Sequence, residues 1–253
     1  MDATTAHLVD DLTTALREAG DPHTAEQTRR YLKSNLHHHG VRMPVIRTLV
    51  ADAARTHGPL DHPRLLSCTR ALWHPEVHET RIAAAVLLER HVHVLGAEDT
   101  ALLEDLLRDS DTWALVDLLA GSVAGRLLLR EPTALPTYRR WATEDTQWIR
   151  RSGILTFLVP LTDPGGFPHY WPPFTETAAP LLPDPRFFIR KALGWVLRQT
   201  SRTHPTEVYD WFLPRAPHAS GTTVRETVRH LDPTRTEAIL TAHRQQKPQA
   251  RSF

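Results

Sequence analysis

The sequence predicts an all-α protein, a HEAT-like helical-repeat α-solenoid with a concave basic face. Apolar residues recur at three- and four-residue spacing through nearly the whole chain, and the alternation that marks strands is almost absent. Proline and glycine punctuate that pattern at short intervals. Four segments also repeat one helical theme: "PEVHETRIAAAVLLERH", "DTWALVDLLAGSVAGRLL", "DTQWIRRSGILTFLVPL" and "DPRFFIRKALGWVLRQTSR". Their starts lie roughly 35–40 residues apart, the period of HEAT-type helix pairs, whose arrays curve and bind on the concave side.

Taken in order, the punctuation divides the chain into roughly a dozen helices with short connections. "DPHTAEQ" puts a proline after an aspartate, a first-turn signal, and "HPTEVYD" offers another first-turn proline near the C-terminal end. "HGPLDHP", "WHPEV", "REPTALP", "PLLPDPRF", "PRAPHASG" and "LDPTR" mark breaks between helices. "LTDPGGFPHYWPPF" interrupts the periodicity and reads as a loop. Residues 1–245 are expected to form a single repeat domain, and 246–253 a frayed tail.

Composition narrows the function. Hydrophobic residues make up 41% and charged residues 23%, an ordinary globular balance. The lone Cys68 rules out a disulfide framework and a four-cysteine zinc module. No run of about 18 apolar residues suggests a membrane span, and the start lacks a secretory pattern, so the expected location is cytoplasmic. Charge is uneven: residues 1–126 carry 13 basic and 18 acidic side chains, residues 127–253 carry 17 and 11. A basic second half points to an anionic partner there. Lys33, Lys191 and Lys247 are the only lysines; arginine suits bidentate phosphate contacts, although an Arg-rich chain also reflects genome base composition.

Three helices carry unusual residues. In "DTWALVDLLAG", Leu115, Leu118 and Leu119 cluster on one side of the wheel, while Trp113, Asp117, Ala120 and Ala124 line another. That second face is either solvent surface or one wall of a site. In "DTQWIRRSGILTFL", Arg150 points away from the core and Arg151 shares the apolar arc, where it must meet an anion, a structural carboxylate or a bound phosphate. Lys191, Trp195, Arg198 and Arg202 fall at i, i+4, i+7 and i+11, a stripe that is either solvated or a backbone-binding face of cations around a ring. "LHHHG" sets His37, His38 and His39 in a row, but consecutive residues cannot all aim at one metal. "DPGGF" lacks the lysine and preceding strand of a nucleotide loop. No metal, nucleotide or redox cofactor is expected.

Across "RRYLKSNLHHHGVRMPVIRTL", "ALWHPEVHETRIAAAVLLER", "DTWALVDLLAG", "WIRRSGIL", "FFIRKALGWVLRQTSRTHP" and "VRETVRHL", the chain resembles the AlkD-like DNA alkylation repair family of bacterial alkylpurine DNA glycosylases. The resemblance implies that Asp117 is the catalytic carboxylate and that Trp113 and Trp195 frame the damaged nucleotide's sugar. It also implies that Arg151 holds a phosphate near the lesion, and that Tyr31 approaches the lesion. Lys191, Arg198 and Arg202 would add phosphate contacts. The implied partner is double-stranded DNA containing alkylated purines, met by a monomer that scans the nucleoid. The implied activity is that of a monofunctional glycosylase that leaves the base unflipped and extends to bulky adducts, as in self-resistance. Where the family is more apolar, this chain has His37, His38 and His39, which leaves the range of lesions open. Two rival readings share the fold: a catalytically silent HEAT-like DNA-binding protein and a protein-binding scaffold.

Overall fold

The helices begin where short polar residues and prolines direct the chain. Asp2, Asp21, Asp61 and Ser220 each accept a hydrogen bond from the backbone N–H three residues on, at 2.8, 2.7, 3.0 and 3.0 Å. Each satisfies a donor that the first helical turn leaves bare. Pro22, Pro44, Pro63, Pro136, Pro168 and Pro205 occupy first-turn positions, where their missing N–H is no loss. The computed structural model describes residues 2–245; the tail 246–253 lies outside the described residues. No strand occurs among the described residues, only an isolated parallel bridge between His37 and Val77. The chain is an all-α helical-repeat protein.

It divides into two compact units, Met1–Glu131 and Pro132–Phe253. The first holds α1 (Ala3–Glu18), α2 (Pro22–Leu32), α3 (Met43–Thr56), α4 (His62–Trp73), α5 (His78–Arg90) and α6 (Thr100–Arg108). A helical run that changes type twice closes it: α7 (Trp113–Val116), a π-helical stretch (Asp117–Ala124) and α8 (Gly125–Arg130). The second unit holds α9 (Leu135–Trp141), α10 (Gln147–Leu155), α11 (Leu158–Thr162), α12 (Phe167–Ala178) and α13 (Phe187–Thr200). It continues through α14 (Pro205–Phe212), α15 (Gly221–Thr227) and α16 (Pro233–Gln245). The predicted repeat is visible in α5, α7, α10 and α13, which start at residues 78, 113, 147 and 187.

In the first unit α5 is the central rod, buried without interruption from His78 to Leu88. Its Ala83, Ala84 and Ala85 leave room for neighbours, and α3, α4 and the π-helical stretch all pack against it. In the second unit α13 has that role, against α10 and α15. Two glycines permit the approach. A Cβ at Gly153 would lie 2.3 Å from the Ala142 nitrogen, and one at Gly194 would lie 2.6 Å from the Glu226 Cβ.

One expectation is corrected. Of the stretch expected to be a loop, residues 163–166 do form a turn, but from Phe167 onward it is the helix α12, with Pro172 and Pro173 inside it. Each internal proline costs about 3 kcal/mol in an isolated helix, but here aromatic packing prevails. Phe167 stacks on His204, Phe174 packs against Phe157, and Trp171 meets Trp211 edge-on. Thr175 and Thr177 hydroxyls donate to the Pro172 and Pro173 carbonyls at 2.8 and 2.7 Å.

The histidine run behaves as period-two backbone requires. Leu36, His38 and Gly40 are buried while Asn35 and His37 are exposed. His37 and His39 meet edge-on, their ring centroids 5.1 Å apart. His38 turns the opposite way and stacks on His78, centroids 4.5 Å apart and planes within 12°. Beneath the segment Glu79, 1% exposed, accepts hydrogen bonds from the backbone N–H groups of His39, Gly40 and Val41 at 2.9, 2.8 and 3.3 Å.

Burial pushes the His78 pKa down to about 4; His38 lowers it further, while Glu79 and Asp111 oppose the shift. The native ring is thus neutral, whereas the unfolded chain carries an ordinary histidine that takes up a proton near pH 6.5. Stability is full above pH 6.5 and is lost as the pH falls towards 4, by on the order of 3 kcal/mol for a shift of this size. His78→Phe keeps the stack without the titration and should flatten the decline of Tm between pH 6.5 and 4. An equally steep decline in the variant would place the titration elsewhere.

Candidate active site

The turn between α6 and α7 is held from two sides. Asp109 accepts from the Trp73 indole N–H at 2.8 Å and pairs with the buried Arg81 at 3.0 Å. Arg81 also donates to the carbonyls of Trp73 and Asp109 and lies over the Trp73 ring. Two residues on, Asp111 accepts from the Asn35 backbone N–H at 2.6 Å, and from the Ser34 hydroxyl and Asn35 amide at 3.1 Å each. The α2 helix ends just before that contact, with Lys33 in the left-handed region (φ 52°) and the Ser34 N–H donating back to the Arg29 carbonyl at 3.0 Å. Tyr31 is thereby carried to Trp113. The rings meet edge-on, centroids 5.7 Å apart at 86°, and Tyr31 stays 73% exposed.

Trp113 begins α7, and the Asp117 N–H donates to its carbonyl, so ring and carboxylate stand one α-helical turn apart. Both are half-buried, while Leu115, Leu118 and Leu119 are in the core. From Asp117 onward the ladder widens: the Gly125 N–H reaches back five residues to the Ala120 carbonyl. The α-helical wheel drawn through Asp117, Ala120 and Ala124 therefore does not hold beyond Asp117, because each π turn takes an extra residue. Ala120 and Ala124 are fully buried. Short π stretches inside α-helices recur at functional sites, where they re-aim side chains.

In the second unit Arg151 is on the apolar arc, as its sequence position predicts, and is 4% exposed. Its guanidinium donates to the Phe188 carbonyl at 2.6 Å and lies over that residue's ring. Arg150, itself mostly covered, pairs with the buried Asp184, which also pairs with Arg186; those bonds, led by the one from Arg186, hold the Asp184 carboxyl down to about 2. Along α13, Lys191, Trp195 and Arg198 are half-buried; the helix ends at Thr200, so Arg202 lies in the turn beyond it, off the expected helical stripe, and is exposed. Lys191 pairs with Glu226 at 2.8 Å, Arg198 pairs with the same carboxylate, and Arg202 contacts Gln199 at 3.4 Å. The eight residues singled out in the sequence thus fall into two groups. Tyr31, Trp113 and Asp117 stand in the first unit, and Arg151, Lys191, Trp195, Arg198 and Arg202 in the second.

Sequence reasoning missed Asp111 and Glu226, the two acids that organise these groups. Each was hidden in a polar context; the available signal for Glu226 was a lone acid in "VRETVRHL", a block resembling the family. Elsewhere, a cleft of about 650 Å³ in the first unit is lined by Arg17, Arg29, Asn35, His37 and His39 among others, and by neither Trp113 nor Asp117. Among the described residues His62, Glu98 and Asp99 bring ligand atoms within 4.8 Å of one another. Asp99 is already engaged there by His62 and the Gly96 N–H.

The family model described as DNA alkylation repair enzyme matches residues 12–231. The chain belongs to the DNA alkylation repair enzyme family. Among solved structures, a predicted DNA alkylation repair enzyme from Enterococcus faecalis is similar at 21% identity. That match covers 85% of this chain and 97% of the other, with a TM-score of 0.73. The Streptococcus mutans protein smu.31 is similar at 14% identity, covering 90% and 97%, with a TM-score of 0.53. AlkD2 from Streptococcus mutans is similar at 15% identity, covering 80% and 88%, also with a TM-score of 0.53. These likenesses establish the helical-repeat fold. No curated protein matches the chain. Among the described residues no helix is long and apolar enough to cross a membrane.

In this DNA alkylation repair family member Asp111 is the tether between the ends of α2 and α7. Asp111→Ala removes three hydrogen bonds and should cost about 1–3 kcal/mol in denaturant unfolding. A variant as stable as wild type would show that Tyr31 and Trp113 are brought together by other contacts.

Proposed function

We propose that this protein is a monofunctional DNA glycosylase that hydrolyses the N-glycosidic bond of cationic N3- or N7-alkylated purines in duplex DNA. The reading rests on one observation above the rest: an aromatic ring and a carboxylate one turn apart at the mouth of a π-helical stretch, with exposed Tyr31 edge-on to that ring. A cationic purine is already a good leaving group, so the protein need not supply a strong acid. The demand falls on the sugar, which becomes oxocarbenium-like, and on the attacking water. In this proposal Asp117 faces that developing positive charge. Trp113 would give it an aromatic face, contributing about 0.5–2 kcal/mol, and Trp195 is proposed as a further aromatic contact to the damaged nucleotide.

Arg151, Lys191, Arg198 and Arg202 would meet phosphates, which fix register without reading sequence. Residues 1–245 would act as one repair domain, as a monomer among nucleoid DNA in the cytoplasm. Rings and a carboxylate grip a sugar but do not read a Watson–Crick edge, so the base is not expected to enter a closed pocket. Selectivity then comes from the lesion's own charge and weakened bond. Adduct size should matter little, which admits bulky cationic adducts and a self-resistance role.

Asp117→Asn should keep duplex affinity while lowering base release from N7-methylguanine DNA by roughly 10²–10³-fold, the scale of a lost electrostatic contact to a reacting centre. Wild-type release by the variant would overturn the assignment, and uracil or hypoxanthine should not be released. Duplex binding without any base release by the wild-type protein would favour a silent DNA-binding repeat protein instead. Arg202→Ala should lower the salt slope of duplex binding by roughly one unit, equally on all sequences. An unchanged slope would leave Arg202 a solvated surface group.

A further inference from the structure

We infer that Glu226 is a positioning residue: it holds Lys191 and Arg198 as an ordered pair of cations about Trp195 and so fixes where nucleotide phosphates lie against that ring. The inference rests on the glycosylase reading for its substrate, but the arrangement is a property of the second unit alone.

Lys191, Trp195 and Arg198 fall at i, i+4 and i+7 of α13, within one stripe. Long basic side chains ordinarily keep many rotamers, and a phosphate that binds them must order them first. Here the ordering is built in. Glu226, on the neighbouring α15, accepts from Lys191 Nζ at 2.8 Å and from Arg198, with Arg229 at 3.7 Å. The carboxylate is the buried member, its side chain 8% exposed against 41% for Lys191. It therefore anchors the cations from beneath and leaves Lys191 open to solvent.

The backbone is shaped for this contact. A Cβ at position 194 would sit 2.6 Å from the Glu226 Cβ and 3.2 Å from the Thr223 carbonyl oxygen. The glycine before Trp195 thus gives α15 the space from which Glu226 reaches both cations. Burial pushes the Glu226 pKa up, but the Lys191 hydrogen bond and the charges of Arg198, Lys191 and Arg229 outweigh it and hold the carboxyl below its ordinary value. One anion facing three cations leaves the cluster net positive. An ammonium has three donors and a guanidinium five, so Lys191 and Arg198 keep N–H groups for phosphate.

The alternative is that Glu226 merely masks positive charge, and Glu226→Gln in the full chain separates the two. The probes are an undamaged duplex and a duplex containing N7-methylguanine. Positioning predicts that undamaged-duplex affinity is kept or rises, since a negative charge is lost, while the single-turnover excision rate at saturating enzyme falls about tenfold or more. Tighter binding with wild-type excision would make Glu226 a mask and overturn the proposal. Should the variant fold poorly, side-chain nitrogen-15 relaxation of the wild-type protein still decides. Lys191 and Arg198 should be rigid and Arg202 mobile, and equal mobility of all three would overturn the proposal. If wild-type protein releases no base, the glycosylase reading fails, while the relaxation experiment still tests the ordering of the cations.

Discussion

The geometry of the first unit depends on two carboxylates in a single turn. Asp109 is bound to Trp73 and the buried Arg81, and Asp111 to Ser34 and Asn35. The first pair locks the exit of α6 to α4 and α5; the second locks the entry of α7 to the end of α2. The Arg81 side chain is buried while the Asp109 carboxylate is more than half exposed, so it is the guanidinium that needs this partner, along with the Trp73 and Asp109 carbonyls, to offset its lost hydration. Arg81 is therefore committed to Asp109, and the turn has little freedom to drift. Everything offered by Trp113, Asp117 and Tyr31 follows from that fixed entry.

The fold was legible because it is written in apolar periodicity and proline placement, both local properties. The repeat starts, the Asp–Pro helix entry at Pro22 and the burial of Leu115, Leu118 and Leu119 were all available from spacing alone. Where the reading failed, a non-local term prevailed. Pro172 and Pro173 argue against a helix by every local rule, and aromatic partners on other elements override them. The π-helical stretch was invisible for a related reason: its composition is that of a good α-helix, and the wider ladder depends on how the run packs on α5 and α6.

The candidate residues were legible as types and positions, but their partners were not. Arg151 was expected to need an anion; part of its need is met by the Phe188 carbonyl and ring, which no sequence pattern announces. The stripe on α13 is present from Lys191 to Arg198, with Arg202 past the helix end, yet both of its helical cations share a carboxylate from α15 some 30 residues away in sequence. Charge patterns along one helix show where cations stand. They do not show which are already bound, since that depends on the side chains of the next helix. The histidine run was legible only as unable to aim three rings at one metal; that His38 turns inward onto His78 while His37 and His39 meet each other is set by the extended backbone there.

The widened stretch from Asp117 to Ala124 also bears on how this helical run tolerates insertions and deletions. An α-helix advances 100° per residue, so losing one residue ordinarily rotates everything after it off the core. A π ladder already holds surplus length. Deleting a single residue within it can return the run to i→i−4 bonding, with Leu127 and Leu128 still facing inward. Trp113 and Asp117, lying before the surplus, would keep their places on the clamped entry. The face carrying Trp113 and Asp117 and the packing face of this run are thus separated by a length buffer, and the chain between them can change by one residue without turning either away.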